Sequence, residues 1–569
     1  MKQRLRFASW VVLPLLGACS FAGQSSAPNS QAGSNVNHEQ NPLSVMTDPS
    51  PLQFTAAGQT GTVTLVEQNP PPSAKFTLNA TYCTNKNVLT VSETDSQHYT
   101  VTQASNLEDC TLVASDGTNR VDVSVNPTRV PVKVTVPSPK PRGLIGGGKI
   151  QHVVIIVQEN RSFDNLFNGF PHADTVRTAN NMGTIVPMFK ENLNGKLLPV
   201  HSHPVWYASY DGGKMDGFAA AEQPGTTTPP FAYVPKSQVE SYWSLAESYG
   251  IGDRMFQSNT GGSFAAHLYL IAGQSDLSDV LNIPGGGQGS GWPTGWGCAD
   301  PPGSHADLVQ PNSPKEVPGP FPCFNLPSIG QELDAKGLSW RYYADKQEGI
   351  WNEYEAVQYV YNGPDWLNNI VVPETRILTD PSGPSGTLAD VTWVTPSWEE
   401  SDHPGDNGGL YGPQWVPSVV NAIGQSSFWD STAIFIVWDD WGGWYDHVAP
   451  PQLDSMGLSF RVPLLVISPY AKTHYVSHVT HEDGSILRFV EEAFGLSAIA
   501  ASDKRADDLG DFFDFNQAPT PFTPFPTVLK RPEDFKAPNA VDLTTAGDLD
   551  DPDYPQAPLI RPPAPAVKR

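Results

Sequence analysis

The chain has 569 residues, a formal net charge of −25, 39% apolar and 16% charged residues, 55 prolines and 49 glycines. That length exceeds one ordinary domain, and the apolar share supports a large core beneath long loops. The acidic balance, with no basic stripe along any segment, argues against a nucleic-acid partner and disfavours passive adhesion to anionic membranes.

In chain order, "MKQRLRFASWVVLPLLGACS" (1–20) carries Lys2, Arg4 and Arg6, a short apolar stretch, and small residues before Cys19. It reads as a targeting segment, too short for an ordinary membrane-spanning helix. "LGAC" resembles the lipobox of bacterial lipoproteins, which implies a signal peptide over 1–19 and a lipid on Cys19; the alternative is a signal peptide cut elsewhere. The lipoprotein reading places the protein in a bacterial cell envelope, periplasmic or surface, held at the membrane only by its N-terminal lipid. Residues 20–45, rich in Ser, Asn, Gln and Gly, read as a flexible tether.

Residues 46–137 alternate short apolar-polar runs with turn residues about every ten positions, which predicts a small all-β sandwich of Ig-like size. It carries no acid–base cluster, so spacer or binding module is its expected role. A Pro/Gly linker over 138–148 marks the boundary. From 149 to 515, apolar strands ("HVVIIVQ", "TAIFIVW", "VPLLVIS") alternate with helical patterns ("SQVESYWSLAESYG", "NLPSIGQELDAKG", "GSILRFVEEAFG"). This predicts an α/β domain with a mostly parallel sheet flanked by helices. Residues 516–569, Pro-rich and acidic, read as an extended segment over the domain followed by a disordered end. Besides Cys19 there are four cysteines. In an oxidising compartment the economical pairing is Cys83–Cys110 and Cys298–Cys323, although four cysteines permit three connectivities.

Two apolar strands end in acidic turns. Val153 to Val157 runs into Glu159 and Asn160, and Ala433 to Trp438 runs into Asp439 and Asp440, followed by Gly442 and Gly443. If these strands are neighbours, three carboxylates and an amide converge where α/β folds place ligands. Such clustering is costly unless a hard cation relieves it. Two solvated turns are the plainer reading of either pair alone. Eleven of the thirteen histidines lie between 152 and 481, among them His201, His203, His403, His447, His478 and His481, in polar, Gly/Pro-rich company suited to phosphate contact, proton transfer or metal ligation. "SNTGGSFAAHLYLIAG" (258–273) reads as a buried helix that starts at Ser263, where a hydroxyl meets free backbone N–H groups. Ser263 is a nucleophile candidate or simply an N-cap; Thr260 and Ser258 are fallbacks, and His267 lies four residues on along the same face.

"VVIIVQENRSFDNLF", "YDGGKMDGF", "DRMFQSNTGGSFAAHLYLIAG", "SDHPGD", "VWDDWGGWYDHVAPP", "FRVPLLVISPYAK", "HEDGSILRFVEEAFGL" and "ADDLGDFFDF" occur in that order between about 150 and 515. Together they resemble the bacterial phosphoesterase family of phospholipases C and acid phosphatases. The resemblance implies an alkaline-phosphatase-like α/β fold and metal-assisted attack on phosphate esters by Ser or Thr. It assigns Glu159, Asn160, Asp439 and Asp440 as ligands of one divalent metal ion, Ser263 as nucleophile, and His403 with His201 or His203 as site histidines. Oxygen ligands alone suit Ca, Mg or Mn, and an added histidine admits Fe or Zn. The implied substrate is a phospholipid or a soluble phosphomonoester. The sequence departs where relatives often read Gly-Pro-Ser/Thr then Pro-Asn, having Gly262 and "AAH" instead. A Gly/Trp-rich insertion (282–303) is placed to wall the substrate pocket. Two other readings compete: a carboxylesterase, since "GGSFA" nearly matches Gly-x-Ser-x-Gly, and a surface lipoprotein that binds without catalysis.

Overall fold

The computed structural model describes residues 43–48, 54, 58–67, 76–83, 89–95, 97–104, 110–115, 120–125 and 145–536, the last without 196, 222–229, 285–294, 311–312, 406–408 and 410. Cys19 and the tether up to residue 42 lie outside these. Leu43–Asp48, Thr60–Glu67, His98–Gln103 and Leu89–Glu93 form one antiparallel sheet in that spatial order. Thr77–Cys83, Cys110–Ser115 and Arg120–Val125 form a second. One buried cluster draws Val63, Leu65 and Val101 from the first sheet and Leu78, Leu112 and Ala114 from the second. The period-2 pattern thus produces two packed β layers. Cys83 and Cys110 are directly opposed in the antiparallel register.

The α/β domain is built on eight strands: β1 His152–Gln158, β2 Gly250–Gly252, β3 Trp340–Tyr343, β4 Ile370–Val371, β5 Val391–Val394, β6 Thr432–Trp438, β7 Leu464–Ile467 and β8 Tyr475–Ser477. Their order is β4-β3-β5-β1-β6-β7-β2-β8. Only the pairings of β7 with β6 and β2 are antiparallel, so the sheet is mostly parallel as its unbroken β-branched runs require. β1 and β6, side by side at its centre, are buried at every residue except His152, which is half-buried.

The principal helices are α1 Phe163–Leu166, α2 His203–Tyr210, α3 Glu240–Ser248, α4 Ser263–Ala272, α5 Ile329–Lys336, α6 Gly412–Gly424 and α7 Asp483–Phe494. Each of α3, α5 and α7 falls on a helical pattern of the sequence. A disulfide joins Cys298 to Cys323. No helix among the described residues is long and apolar enough to cross a membrane.

The segment after 515 is tied to α6. Gln414, Ser418 and Asn421 on one face of α6 hydrogen-bond the backbone of Val528, Leu529 and Phe525. Phe522 meets Trp429 at 4.9 Å and Phe535 meets Trp415 edge-on at 5.2 Å. Residues 520–535 therefore strap α6 to the domain core, and the alternation of prolines and aromatics serves an extended chain lying in a groove. Phe535→Ala should cost about 3 kcal/mol, the usual loss for a truncated core aromatic, read as a lower urea midpoint at unchanged slope. An unchanged midpoint would mean that the strap contributes no stability.

Candidate active site

β1 and β6 run parallel and in register from His152↔Thr432 to Gln158↔Trp438. Their next residues, Glu159 and Asp439, therefore leave the sheet side by side at its carboxyl edge. Asn160 turns the chain at once with φ 58, a left-handed conformation that Asn tolerates better than most residues. Its backbone N–H donates to Asp439 Oδ1 at 2.9 Å. The partner turn closes through Gly442 (φ 64), whose N–H donates to Asp440 Oδ1 at 2.7 Å. A Cβ at Gly442 would lie 2.0 Å from the Asn160 carbonyl oxygen, so glycine is required for the two turns to meet.

α4 delivers Ser263 to this edge. Gly262 is the N-cap and Ser263 the first helical residue, so Ser263 is not the cap that its position in the sequence also suggested. Its hydroxyl donates to Asp440 Oδ2 at 3.1 Å, and the Asn160 amide nitrogen lies 3.2 Å from both Ser263 Oγ and Asp440 Oδ2. The preceding strand, Met255–Phe256, ends well before Gly262. Hence Ser263 does not sit on the sharp strand-to-helix elbow of a carboxylesterase.

The histidines separate. His201 Nε2 is 2.8 Å from the Asn160 amide nitrogen and 4.0 Å from Asp440 Oδ2, while its Nδ1 faces the Pro199 carbonyl at 3.1 Å. His403 lies beyond it, ring centroids 6.0 Å apart, with Nδ1 on the Pro404 carbonyl and Trp398 alongside at 4.5 Å. His203, offered as the alternative to His201, is not at this edge. It is buried, with Nδ1 2.7 Å from Thr260 Oγ1 and Nε2 2.7 Å from the Ser313 carbonyl oxygen. His203 is the first residue of α2, and its ring stacks on Trp206 of the same helix. Thr260 is thereby occupied as well, and Ser258 is engaged with Glu482 and Asp483; neither fallback hydroxyl reaches the carboxylates.

His267 joins the site although no motif assigns it a role. One helical turn after Ser263, its Nε2 lies 2.9 Å from Glu159 Oε1 and 3.8 Å from Asp439 Oδ2, fully buried. The i, i+4 spacing already put it on the Ser263 face; what was missing was the direction of that face, toward the ends of β1 and β6. Phe264, next to Ser263, packs edge-on against Trp296 of the insertion.

Glu159, Asp439 and Asp440 are all fully buried. Burial, then Asp439 and Asp440, raises Glu159 well above the carboxylate range, and burial, then Asp439, does the same to Asp440. The imidazoles bring no compensating charge, since burial pushes His267 down to about 4, and burial, then His201, pushes His403 down to about 3. At this edge three buried oxygens have no hydrogen-bond partner among the described residues: Glu159 Oε2, Asn160 Oδ1 and Asp439 Oδ2. Orphaned oxygens among repelling carboxylates are the donor set of a hard cation, and Glu159, His267 and Asp439 offer ligand atoms close enough together to share one. The residues present fit a metal ion. In two further His/Asp groups the side chains already engage neighbours: Arg461 pairs with Asp446 and Asp164 beside His447, and His481 is held between Asp507 and Ser477, whose hydroxyl also donates to Asp511.

Comparison with known proteins gives one consistent direction. The model of the Phosphoesterase family matches residues 150–497. Phospholipase C B of Mycobacterium tuberculosis is 25% identical over 66% of this chain and 80% of its own length. The non-hemolytic phospholipase C of Pseudomonas aeruginosa is 24% identical over 72% of this chain and 63% of its own length. Among solved structures, a protein in the alkaline phosphatase superfamily from Vibrio parahaemolyticus overlaps 67% of this chain and 75% of its own at 11% identity, with a TM-score of 0.31. That overlap is too loose to bear on the fold, which rests on the sheet itself.

Asp439→Asn and Asp440→Asn should each lose the bound divalent ion in elemental analysis. Each should lower phosphoester turnover by a factor on the order of 10³, as loss of a preorganised electrostatic group does. Full turnover by metal-free protein would overturn the metal assignment.

Proposed function

The chain belongs to the Phosphoesterase family and is a phosphoric ester hydrolase; from that premise we propose that it uses one divalent cation and Ser263 as nucleophile. One observation carries the reading: the Ser263 hydroxyl, at a helix start, donates to Asp440 beside three partnerless buried oxygens. Glu159, Asn160, Asp439 and Asp440 would hold the cation, with His267 Nε2 facing the same space. When bound, the cation supplies Lewis-acid polarisation and favours the ionised hydroxyl.

The chain's own groups do the rest. Asn160 orients Ser263 Oγ, and the hydroxyl proton leaves along the hydrogen bond to Asp440 as Oγ bonds to phosphorus. The first N–H groups of α4 favour the negative phosphoryl oxygens. His403 carries its Nδ1 proton toward Pro404, so Nε2 is the atom free to exchange one. A phosphate beside the ring raises its basicity, so Nε2 takes up a proton from solvent as substrate binds and gives it to the departing alcohol. The ring is then neutral and accepts the proton of the attacking water, while Asp440 returns its proton to Oγ. Water cleaves the phosphoseryl group and restores the hydroxyl.

The relatives named phospholipases C favour a phospholipid, with a soluble phosphomonoester as the other substrate of the same chemistry. We read the sheet as alkaline-phosphatase-like and the N-terminal β layers as an Ig-like spacer. A lipid on Cys19 would place the enzyme in the cell envelope. A donor set of oxygens favours Ca, Mg or Mn, while His267 admits Fe or Zn.

Ser263→Ala should abolish turnover and keep metal content. Quenched reaction with labelled phosphoester should leave phosphate on the peptide containing Ser263. Label on another peptide, or turnover of carboxylic esters that survives chelation, would replace this mechanism. Cys19→Ala should move the protein from the membrane to the soluble fraction; unchanged fractionation would remove the anchor.

A further inference from the structure

We propose that Asp279 is a positioning residue that sets Ser263 against His201 through the backbone, without touching substrate. This rests on Ser263 being the nucleophile. Asp279 lies in the strand Ser278–Asn282 and is fully buried. Its two oxygens hold two different segments: Oδ1 accepts the Gly262 N–H and Oδ2 the His203 N–H, each at 2.7 Å. Gly262 immediately precedes Ser263, and His203 is two residues beyond His201. One carboxylate therefore fixes the start of the nucleophile's helix and the start of the helix that follows the site histidine.

Burial raises Asp279, while a side-chain hydrogen bond from Glu316 and the His203 and Gly262 N–H donors lower it. Glu316 stands beside it, pushed up to about 9 by burial and then by Asp279 itself. At neutral pH Glu316 keeps its proton and can donate it to Asp279, and the two N–H donors favour the carboxylate form of Asp279 against its burial. Charge-assisted bonds of this length are about twice as strong as neutral ones. They also resist the small rotations that would swing Ser263 Oγ off its 3.1 Å contact with Asp440.

Gly261 supports the assignment independently. A Cβ there would stand 2.7 Å from Asp279 Oδ1 and 3.0 Å from its Cα. At Gly262 the nearest atoms to an added Cβ are at 3.5 Å, ordinary contact. Of the two glycines before the nucleophile, the one that must be glycine faces Asp279. At Gly261 the room that a side chain would need is taken by the Asp279 carboxylate.

The test uses the metal-loaded full chain and a soluble phosphoester. In Asp279→Asn the amide's own N–H₂ opposes one of the two backbone donors, leaving one segment unheld. Turnover should fall about 10²-fold, the scale of a roughly 1 Å misplacement, with KM within about threefold and metal stoichiometry unchanged. Gly261→Ala, which pushes on the same carboxylate from the other side, should show the same kcat-selective loss and covers the case in which Asp279→Asn does not fold. Wild-type kcat in either folded variant, or a loss that tracks lost metal, overturns the proposal. Ser263→Ala is the control: if it retains turnover, the nucleophile reading has failed; if it is inactive while Asp279→Asn is normal, the positioning role alone has failed.

Discussion

Everything at this site follows from two parallel strands that end level. Because β1 and β6 pair in register to their last residues, Glu159 and Asp439 have no room to diverge. A one-residue slip would carry one of them into the sheet and turn every side chain of that strand to the other face. The register is held by burial on both faces of the central strands, so the hydrophobic core fixes where the charges stand. Those charges repel, and the neutral imidazoles around them do not relieve it. Three buried carboxylates at one edge are stable together only with protons or with a cation, and the partnerless oxygens face inward to receive one.

Around that edge lie charged residues whose work is to hold loops. Arg161, directly after Asn160, is fully buried and donates to the carbonyl oxygens of Asp402 and Leu193. Asp402 in turn receives Tyr242 and Trp438, and burial raises it to about 6 despite the nearby guanidinium. The segment that carries His403 is thus fastened to the end of β6 and to α3. On the opposite side, Arg461 joins Asp446 to Asp164 and closes the turn after Trp444 against α1. Buried ion pairs of this kind add little net stability once desolvation is counted. What they provide is a unique loop geometry at the rim of a site that would otherwise be pushed apart.

Much of this was legible in the residues. Unbroken apolar runs identified the central strands, and the acidic ends of two of them raised the question of a shared cation before their adjacency was known. The buried helix and its start at Ser263 followed from "FAAHLYLIAG". Three features were not legible, for physical reasons. His201 and His203 are two residues apart, and only the start of α2 decides which ring faces the carboxylates. His267 was visible on the Ser263 face, but its role depends on the crossing of α4 over the sheet, a tertiary fact. That the chain after 515 runs extended over the domain was legible from its prolines; that α6 is the helix it binds was not, since an extended chain has no period to match to a groove.

The same geometry argues about chemistry. A carboxylic ester passes through an oxyanion with a single negative charge, which two backbone N–H groups accommodate. Ser263 instead faces three carboxylates, a field that opposes any developing anion unless a cation stands between. A phosphate ester brings its own negative charge to the ground state and distributes it over several oxygens. It therefore gains from a cation on binding and again as Oγ approaches phosphorus. The acidic cluster that is a liability for one class of ester becomes, once neutralised, the scaffold that suits the other.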